Sequence, residues 1–84
     1  MFWTYILYSE SFDKYYIGFT HDLQNRLIAH NHPKNKGYTR KYKPWRLVYS
    51  MAFNNKKEAM NHETHLKSIK SRNALVNMIM TNTE

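Results

Sequence analysis

The sequence has no cysteine, and only two glycines and two prolines among its 84 residues. Without cysteine, the chain cannot form a disulfide framework, a thiolate metal site or a thiol nucleophile. No apolar run reaches the roughly 20 residues that a membrane-spanning helix needs, and the apolar N-terminus lacks the basic region and cleavage site of a signal peptide. We therefore expect one soluble, cytoplasmic domain that is stabilised by packing and has no membrane partner.

Acidic residues are also scarce, and none occurs between Asp22 and Glu58. The chain carries 13 Lys and Arg against 6 Asp and Glu, a formal net charge of +7. Most of the cations fall in the acid-free stretch, so one face of the molecule should be strongly positive. These cations are Arg26, Lys34, Lys36, Arg40, Lys41, Lys43, Arg46, Lys56 and Lys57.

This basic stretch has three interpretations. It can be a solvated face without a partner, or it can bind an acidic membrane surface, although its cations do not follow one helix face as membrane binding favours. Nucleic-acid binding is the better interpretation, because the cations alternate with Tyr38, Tyr42 and Trp45, whose rings can stack on bases. The candidate nucleic-acid contacts are Lys34, Lys36, Tyr38, Arg40, Lys41, Lys43 and Arg46.

The residue pattern predicts an α+β fold in which helices flank a small three-stranded antiparallel sheet, in the order β-β-α-β-α-α. Aromatic and β-branched runs predict strands over residues 2–8, 14–19 and 45–52, the last with Trp45, Leu47, Tyr49 and Met51 on one face. Capping residues predict helices over about 21–30, 55–70 and 71–80, and residues 31–43 should form an exposed loop. The predicted caps are Thr20, Asn55 with Glu58, and Ser71.

Three polar side chains lie beside apolar helix faces in this interpretation. Arg26 and His30 are one turn apart on the core side of the first helix, and Glu63 shares a face with Ala59 and Leu66 in the second. Carboxylates are seldom buried unless they are paired or bind a metal. Glu63 can therefore be a structural ion-pair partner, and His30 can be a satisfied histidine near a helix end. Neither signal is specific alone.

Taken in order along the chain, these residues resemble the signature of the GIY-YIG nuclease superfamily. The likeness rests on Tyr5, on Tyr16-Ile17-Gly18, on Arg26 with His30 and on Glu63, and it covers about residues 3–70. It is closest to the short stand-alone members, which resemble the N-terminal nuclease module of the bacterial excision-repair incision enzyme. Trp3-Thr4 stands where the family name has Gly-Ile, but the tyrosine that follows is retained.

The resemblance implies a metal-dependent endonuclease that hydrolyses phosphodiester bonds, acts on DNA in preference to RNA, and serves DNA repair. Glu63 would be the sole protein ligand of Mg²⁺ or Mn²⁺, and Arg26 would bind the non-bridging phosphate oxygens. Tyr5 would be the general base or its relay, although its pKa of about 10 would have to be lowered by the metal and Arg26. Tyr16 would orient the attacking water, and His30 would hydrogen-bond a tyrosine or the phosphate.

Other functions fit part of the pattern. A nucleic-acid-binding module could keep the GIY-YIG fold without turnover, and either form could need a protein partner for targeting. A structural protein attached to ribosomal RNA would explain the charge but not the core-side positions of His30 and Glu63. His62 and His65 have a spacing that permits shared metal ligation, but the sequence places no third ligand near them.

Overall fold

The computed structural model describes residues 1–35, 37–69 and 71–82, and it confirms the predicted α+β fold and element order. Strands β1 and β2 form a hairpin, helix α1 follows, and a short 3₁₀ helix leads into strand β3. Helices α2 and α3 complete the chain. The elements are β1 (Phe2–Ser9), β2 (Lys14–Thr20), α1 (Leu23–Asn31), the 3₁₀ helix (Tyr38–Tyr42), β3 (Arg46–Phe53), α2 (Lys56–Lys67) and α3 (Arg72–Asn82).

The sheet is antiparallel with the order β2-β1-β3, so β1 is the central strand. Its side chains are buried on both faces, as its apolar sequence predicts. Ile6 contributes to a core cluster that α2 and α3 cover. Tyr5 and Leu7 point to the opposite face, where they pack with Trp45 and with half-buried side chains of α1. The two sides of β1 therefore contribute to two different cores.

A register shift in β3 makes the predicted alternation of this strand wrong. Ile6 pairs with Tyr49 and Leu7 pairs with Leu47, which leaves Val48 without a residue opposite it. Such a bulge changes which face the following side chains occupy. Tyr49 is buried in the core beneath α2 and α3, whereas Trp45 packs on the other face of the sheet. Leu47 and Met51 are 36% and 37% exposed.

Helix α1 begins two residues later than predicted, because Asp22 and not Thr20 is its N-cap. The Asp22 carboxylate accepts a hydrogen bond from the backbone N–H of Asn25 at 3.2 Å. The Thr20 hydroxyl instead accepts the backbone N–H of Asp22 at 3.0 Å. A carboxylate at this position also interacts favourably with the positive end of the helix dipole.

The other two predicted helix starts are confirmed. The Asn55 side chain accepts the backbone N–H of Glu58 at 2.9 Å, and the Ser71 hydroxyl accepts that of Ala74 at 3.3 Å. Helix α2 ends at Lys67, before the predicted end near residue 70, because Ser68 is its C-cap and Ile69 is not helical. Within the described ranges, no helix is long and apolar enough to cross a bilayer.

The segment before β3 is more ordered than the exposed loop that the sequence predicts. Its 3₁₀ helix buries Thr39, and the indole N–H of Trp45 donates to the Thr39 carbonyl at 2.8 Å. The Asn31 side chain bonds both the N–H and the carbonyl of Trp45, at 2.6 and 2.9 Å. Because Trp45 is only 3% exposed, the prediction that its ring could stack on bases is wrong.

Candidate active site

A cleft of about 450 Å³ opens beside β2 and brings together residues from both sides of the sheet. Tyr5 comes from β1, Tyr16 from β2, Arg26 from α1 and Glu63 from α2. These are four of the five residues that the sequence identifies as candidate catalytic groups. The fifth, His30, lies behind the cleft in contact with Tyr5.

The position of Tyr5 depends on the glycine opposite it. Tyr5 and Gly18 are paired across β1 and β2, and the Tyr5 ring lies over the Gly18 backbone. A Cβ atom at residue 18 would lie 2.7 Å from the Tyr5 hydroxyl oxygen and 3.2 Å from the Tyr16 ring. The glycine of the Tyr16-Ile17-Gly18 motif therefore provides the space that lets two tyrosines meet at the cleft.

His30 is buried and hydrogen-bonded through both ring nitrogens. Its Nε2 lies 3.0 Å from the Tyr5 hydroxyl, and its Nδ1 lies 2.9 Å from the Thr39 hydroxyl. Burial, reinforced by the positive charge of Arg26, lowers the pKa of His30 below its usual value. The imidazole is therefore neutral at pH 7. His30 is thus a satisfied histidine near a helix end and also a direct partner of Tyr5.

The environment of Tyr5 favours its protonated form. Burial is the largest cause that raises the pKa of Tyr5, and the neighbouring Tyr16 and Glu63 raise it further. Arg26 lowers the pKa of Tyr5, as the sequence predicts, but its effect is smaller than that of burial. In this arrangement Tyr5 keeps its proton at neutral pH. Any function as a base would need more positive charge in the cleft.

Glu63 is partly buried in the cleft wall, with 19% of its side chain exposed. Its carboxylate lies 3.4 Å from the ammonium of Lys67, one helical turn away. The ion pair considered from the sequence is therefore present, but Lys67 is 56% exposed and such pairs contribute little to stability. A single carboxylate fits a hard divalent cation that retains several waters, as Mg²⁺ does. Glu63 is the residue that could hold such an ion.

A site with several protein ligands is not formed in the part of the chain that the structure describes. No group of three His, Asp or Glu side chains comes together there as potential metal ligands. His62 and His65 stack with their ring centroids 6.1 Å apart, and Nε2 of His62 lies 2.8 Å from the Tyr49 hydroxyl. These contacts give His62 a structural role between α2 and β3, with His65 stacked beside it.

The predicted nucleic-acid contacts are divided between two places. Tyr38, which is 60% exposed, lines a depression of about 200 Å³ together with Tyr16, Arg26 and His30. Exposed Arg40 and Lys41 follow Tyr38 in the 3₁₀ helix. This depression shares Tyr16 and Arg26 with the cleft, so one nucleic-acid strand could contact the depression and the cleft together. Lys34 and Lys43 flank the 3₁₀ helix, and Lys36 lies outside the described residues.

Arg46 is not brought to the cleft. Its guanidinium forms an ion pair with Glu10 at 3.0 Å and lies 5.6 Å from the centre of the Tyr8 ring. It belongs instead to the surface beside α3, where Val76 and Ile79 line the same cavity as Arg46.

Three residues that line or support the site have no feature in the sequence that marks them as site residues. Lys56 lines the cleft at the start of α2, although the sequence identifies it only as part of the basic stretch. Asn35 and Thr39 hydrogen-bond to each other and to His30. Both precede β3 in a segment without periodicity, so their approach to α1 depends on the tertiary fold.

Comparison with known proteins agrees with this geometry. The family model described as the GIY-YIG catalytic domain matches residues 1–76. The chain belongs to the GIY-YIG family. This confirms the resemblance that the ordered tyrosines, Arg26, His30 and Glu63 indicate.

Individual GIY-YIG relatives carry the name UPF0213 protein. The chain is similar to the UPF0213 protein of Streptococcus pneumoniae serotype 4, with 47% identity over 53 residues that cover 63% of this chain and 54% of the relative. It is also 37% identical to the UPF0213 protein of Clostridium perfringens over 79 residues, covering 94% of this chain and 83% of that one. The match thus spans about half the length of the first relative.

A solved GIY-YIG-like structure has the same fold. The solution NMR structure of the UPF0213 protein from Bacillus halodurans superposes with a TM-score of 0.61 at 34% sequence identity. The alignment covers 98% of this chain and 86% of that protein.

Proposed function

We propose that this GIY-YIG protein is a metal-dependent endonuclease that hydrolyses phosphodiester bonds in nucleic acid, with DNA as the preferred substrate. The observation that carries the proposal is the convergence of Tyr5, Tyr16, Arg26 and Glu63 on one cleft from four different elements. A cluster of residues that served only to pack the hydrophobic core would not need an arginine and a carboxylate beside two tyrosines. Phosphodiester hydrolysis needs groups of these kinds to bind phosphate and to align water.

In the proposed reaction, the oxygen of a water molecule attacks phosphorus, and the bond from phosphorus to the leaving sugar oxygen breaks. The water loses a proton and the leaving oxygen gains one. Arg26 is exposed at the cleft, and its planar guanidinium suits the non-bridging phosphate oxygens. Tyr5 and Tyr16 would hydrogen-bond the attacking water. Glu63 would hold Mg²⁺ or Mn²⁺, which when bound neutralises negative charge on the phosphate.

Substrate binding would use the basic surface next to the cleft. The net charge of +7 favours a polyanion, and Arg40 and Lys41 supply exposed cations near the cleft. Tyr38 presents a ring on which a base could stack. The family resemblance further leads us to propose action in the cytoplasm, in DNA repair, with a protein partner for targeting.

A second candidate is a nucleic-acid-binding module without turnover. Two observations favour it: the raised pKa of Tyr5 and the ion pair between Glu63 and Lys67. The raised pKa keeps the Tyr5 phenol protonated, which is its less reactive form. The ion pair with Lys67 occupies the Glu63 carboxylate that would hold the cation. Both candidates predict the same binding surface, so only a test of turnover distinguishes them.

The test is incubation of the purified protein with single-stranded, duplex and branched DNA and with matched RNA. Each substrate is supplied with Mg²⁺, with Mn²⁺ or with a chelator, and binding is followed in parallel by fluorescence anisotropy. We expect cleavage of at least one DNA substrate with either metal and none with the chelator. Binding without cleavage in every metal condition would support the binding module and reject the nuclease.

A further inference from the structure

The side-chain amide of Asn35 has only one orientation that satisfies its neighbours. One terminal atom of the amide lies near two oxygens, the His30 carbonyl at 2.8 Å and the Thr39 hydroxyl at 2.7 Å. The other end meets the backbone N–H of Gly37 at 2.9 Å. Only the NH₂ group can donate twice, and only the amide oxygen can accept from Gly37. Asn35 therefore donates one hydrogen bond to Thr39.

The Thr39 hydroxyl then has one proton to donate. Thr39 is 4% exposed, and its oxygen contacts two groups, the Asn35 amide and Nδ1 of His30 at 2.9 Å. Since Asn35 donates, the only acceptor for the Thr39 proton among the described residues is Nδ1 of His30. If Nδ1 carried a proton instead, the buried hydroxyl would have no acceptor, which is unfavourable.

A neutral imidazole carries one proton, so the proton that is absent from Nδ1 must reside on Nε2. We propose that Asn35 and Thr39 are positioning residues that hold His30 as its Nε2–H tautomer, so that His30 donates a hydrogen bond to the Tyr5 hydroxyl oxygen. The chain of donors runs from Asn35 to Thr39, from Thr39 to His30 and from His30 to Tyr5. This inference rests on the proposed nuclease only for its consequence in catalysis.

The direction of this last hydrogen bond determines what His30 can do for Tyr5. With a proton on Nε2, His30 cannot accept the phenolic proton. It instead stabilises negative charge on the Tyr5 oxygen and leaves the phenolic O–H free to point into the cleft. Tyr5 is thus prepared to donate to a water or phosphate oxygen, and its ionised form gains a charge-assisted hydrogen bond. In this arrangement His30 cannot act as a base that accepts a proton passed on by Tyr5.

The tautomer can be measured without any substrate. Long-range ¹H–¹⁵N correlation spectra of the labelled protein at pH 7.5 distinguish the protonated ring nitrogen of each histidine from the bare one. We expect the Nε2–H pattern for His30 in the unmodified protein, assigned by the loss of its signals in a His30→Gln variant. An Nδ1–H pattern for His30 in the unmodified protein would overturn the proposal, whether or not the protein cleaves nucleic acid.

Substitutions of Asn35 give a test of the donor chain. In Asn35→Asp, the side chain can only accept, so the Thr39 hydroxyl should turn its proton toward Asp and become an acceptor for His30. Nδ1 of His30 should then carry a proton. A bare Nδ1 in this variant would contradict the proposal. His62 is the internal control, because its Nε2 also meets a tyrosine hydroxyl and its spectrum should not change.

Thr39 provides the catalytic test and its rescue. Thr39→Val removes the hydroxyl while it preserves the shape, so His30 should become a mixture of tautomers and kcat should fall about tenfold, the effect of one lost hydrogen bond. Thr39→Ser keeps the hydroxyl and should retain the unmodified tautomer and rate. Equal activity of the Val and Ser variants, in a protein that does cleave nucleic acid, would overturn the positioning role. Absence of cleavage in the unmodified protein would reject the nuclease and leave the tautomer assignment to the spectra.

Discussion

Gly18→Ala tests whether the space opposite Tyr5 holds the site together. The added methyl would lie 2.7 Å from the Tyr5 hydroxyl oxygen and 2.9 Å from the ring carbon that carries it. Ordinary contact needs roughly 0.7 Å more. Tyr5 is 1% exposed and packed against Leu7 and Trp45, so it has little room to move. A shift of this size would also disturb the geometry of its hydrogen bond to His30, now 3.0 Å.

The expected loss of stability follows from three contributions. Overpacking a core costs about 1–3 kcal/mol. Weakening of the buried hydrogen bond between Tyr5 and His30 costs about 1 kcal/mol. Replacing a glycine within a strand by alanine is itself stabilising by about 0.5–1 kcal/mol, which offsets part of this loss. We therefore expect Gly18→Ala to lower the free energy of unfolding by about 2 kcal/mol, which lowers Tm by roughly 8–16 °C in a domain of this size.

Thermal unfolding followed by circular dichroism measures this loss, and a double-mutant cycle with Tyr5→Phe attributes it to the contact. Phenylalanine lacks the oxygen that the new methyl approaches most closely, so Gly18→Ala should cost about 1 kcal/mol less in that background. Gly37→Ala is the matched control, because its nearest neighbour would be 3.4 Å away, and it should change stability by less than about 0.5 kcal/mol. An equal cost in both backgrounds, or a loss no larger than that of the control, would refute the reasoning.

Three further predictions concern the metal ligand, the basic surface and the buried histidine. Glu63→Gln should abolish cleavage and change the free energy of unfolding by less than about 1 kcal/mol, because its partner Lys67 is exposed. The control Lys67→Gln breaks the same ion pair and should retain activity. Loss of cleavage in both variants would argue against the role of Glu63 as the metal ligand. Combined replacement of Arg40, Lys41 and Lys43 by Ala should weaken binding to nucleic acids of all sequences. It should also make the dependence of log Kd on log salt concentration shallower by roughly 0.9 for each lost phosphate contact on duplex DNA. An unchanged slope in a salt titration would mean that these three residues do not contact the phosphates. Since the pKa of His30 is lowered by burial, the unfolded chain binds protons that the folded protein does not, so denaturant titrations should show the free energy of unfolding falling as pH drops below about 6.5. His30→Gln should reduce that dependence, and an identical pH profile in the variant would assign the effect to another group, such as His62, whose pKa burial also lowers.

Local sequence was sufficient to predict the three strands, the three α-helices and four residues that the structure brings to one cleft. Apolar runs with aromatic and β-branched side chains predicted the three strands, and the caps at Asn55 and Ser71 were correct because capping is decided within four residues. The predicted N-cap at Thr20 was wrong because Asp22, two residues later, also has a capping side chain, and only the backbone of the folded chain shows which of them lies at the helix start. Family signature spacing identified Tyr5 and Glu63 without any knowledge of their surroundings.

The tertiary structure alone decided how those residues act on one another. Trp45 alternates with cations in the sequence as a stacking residue would, yet its burial under the 3₁₀ helix removes it from the surface. A side chain's exposure and pKa depend on everything packed around it, and so only the structure shows that burial raises the pKa of Tyr5 by more than Arg26 lowers it. Thr39 and Asn35 lie in a stretch with no helical or strand period, and no local rule brings them to His30. The residue types of this protein determine which chemical groups are available, whereas long-range packing determines how deeply each group is buried and which groups it contacts.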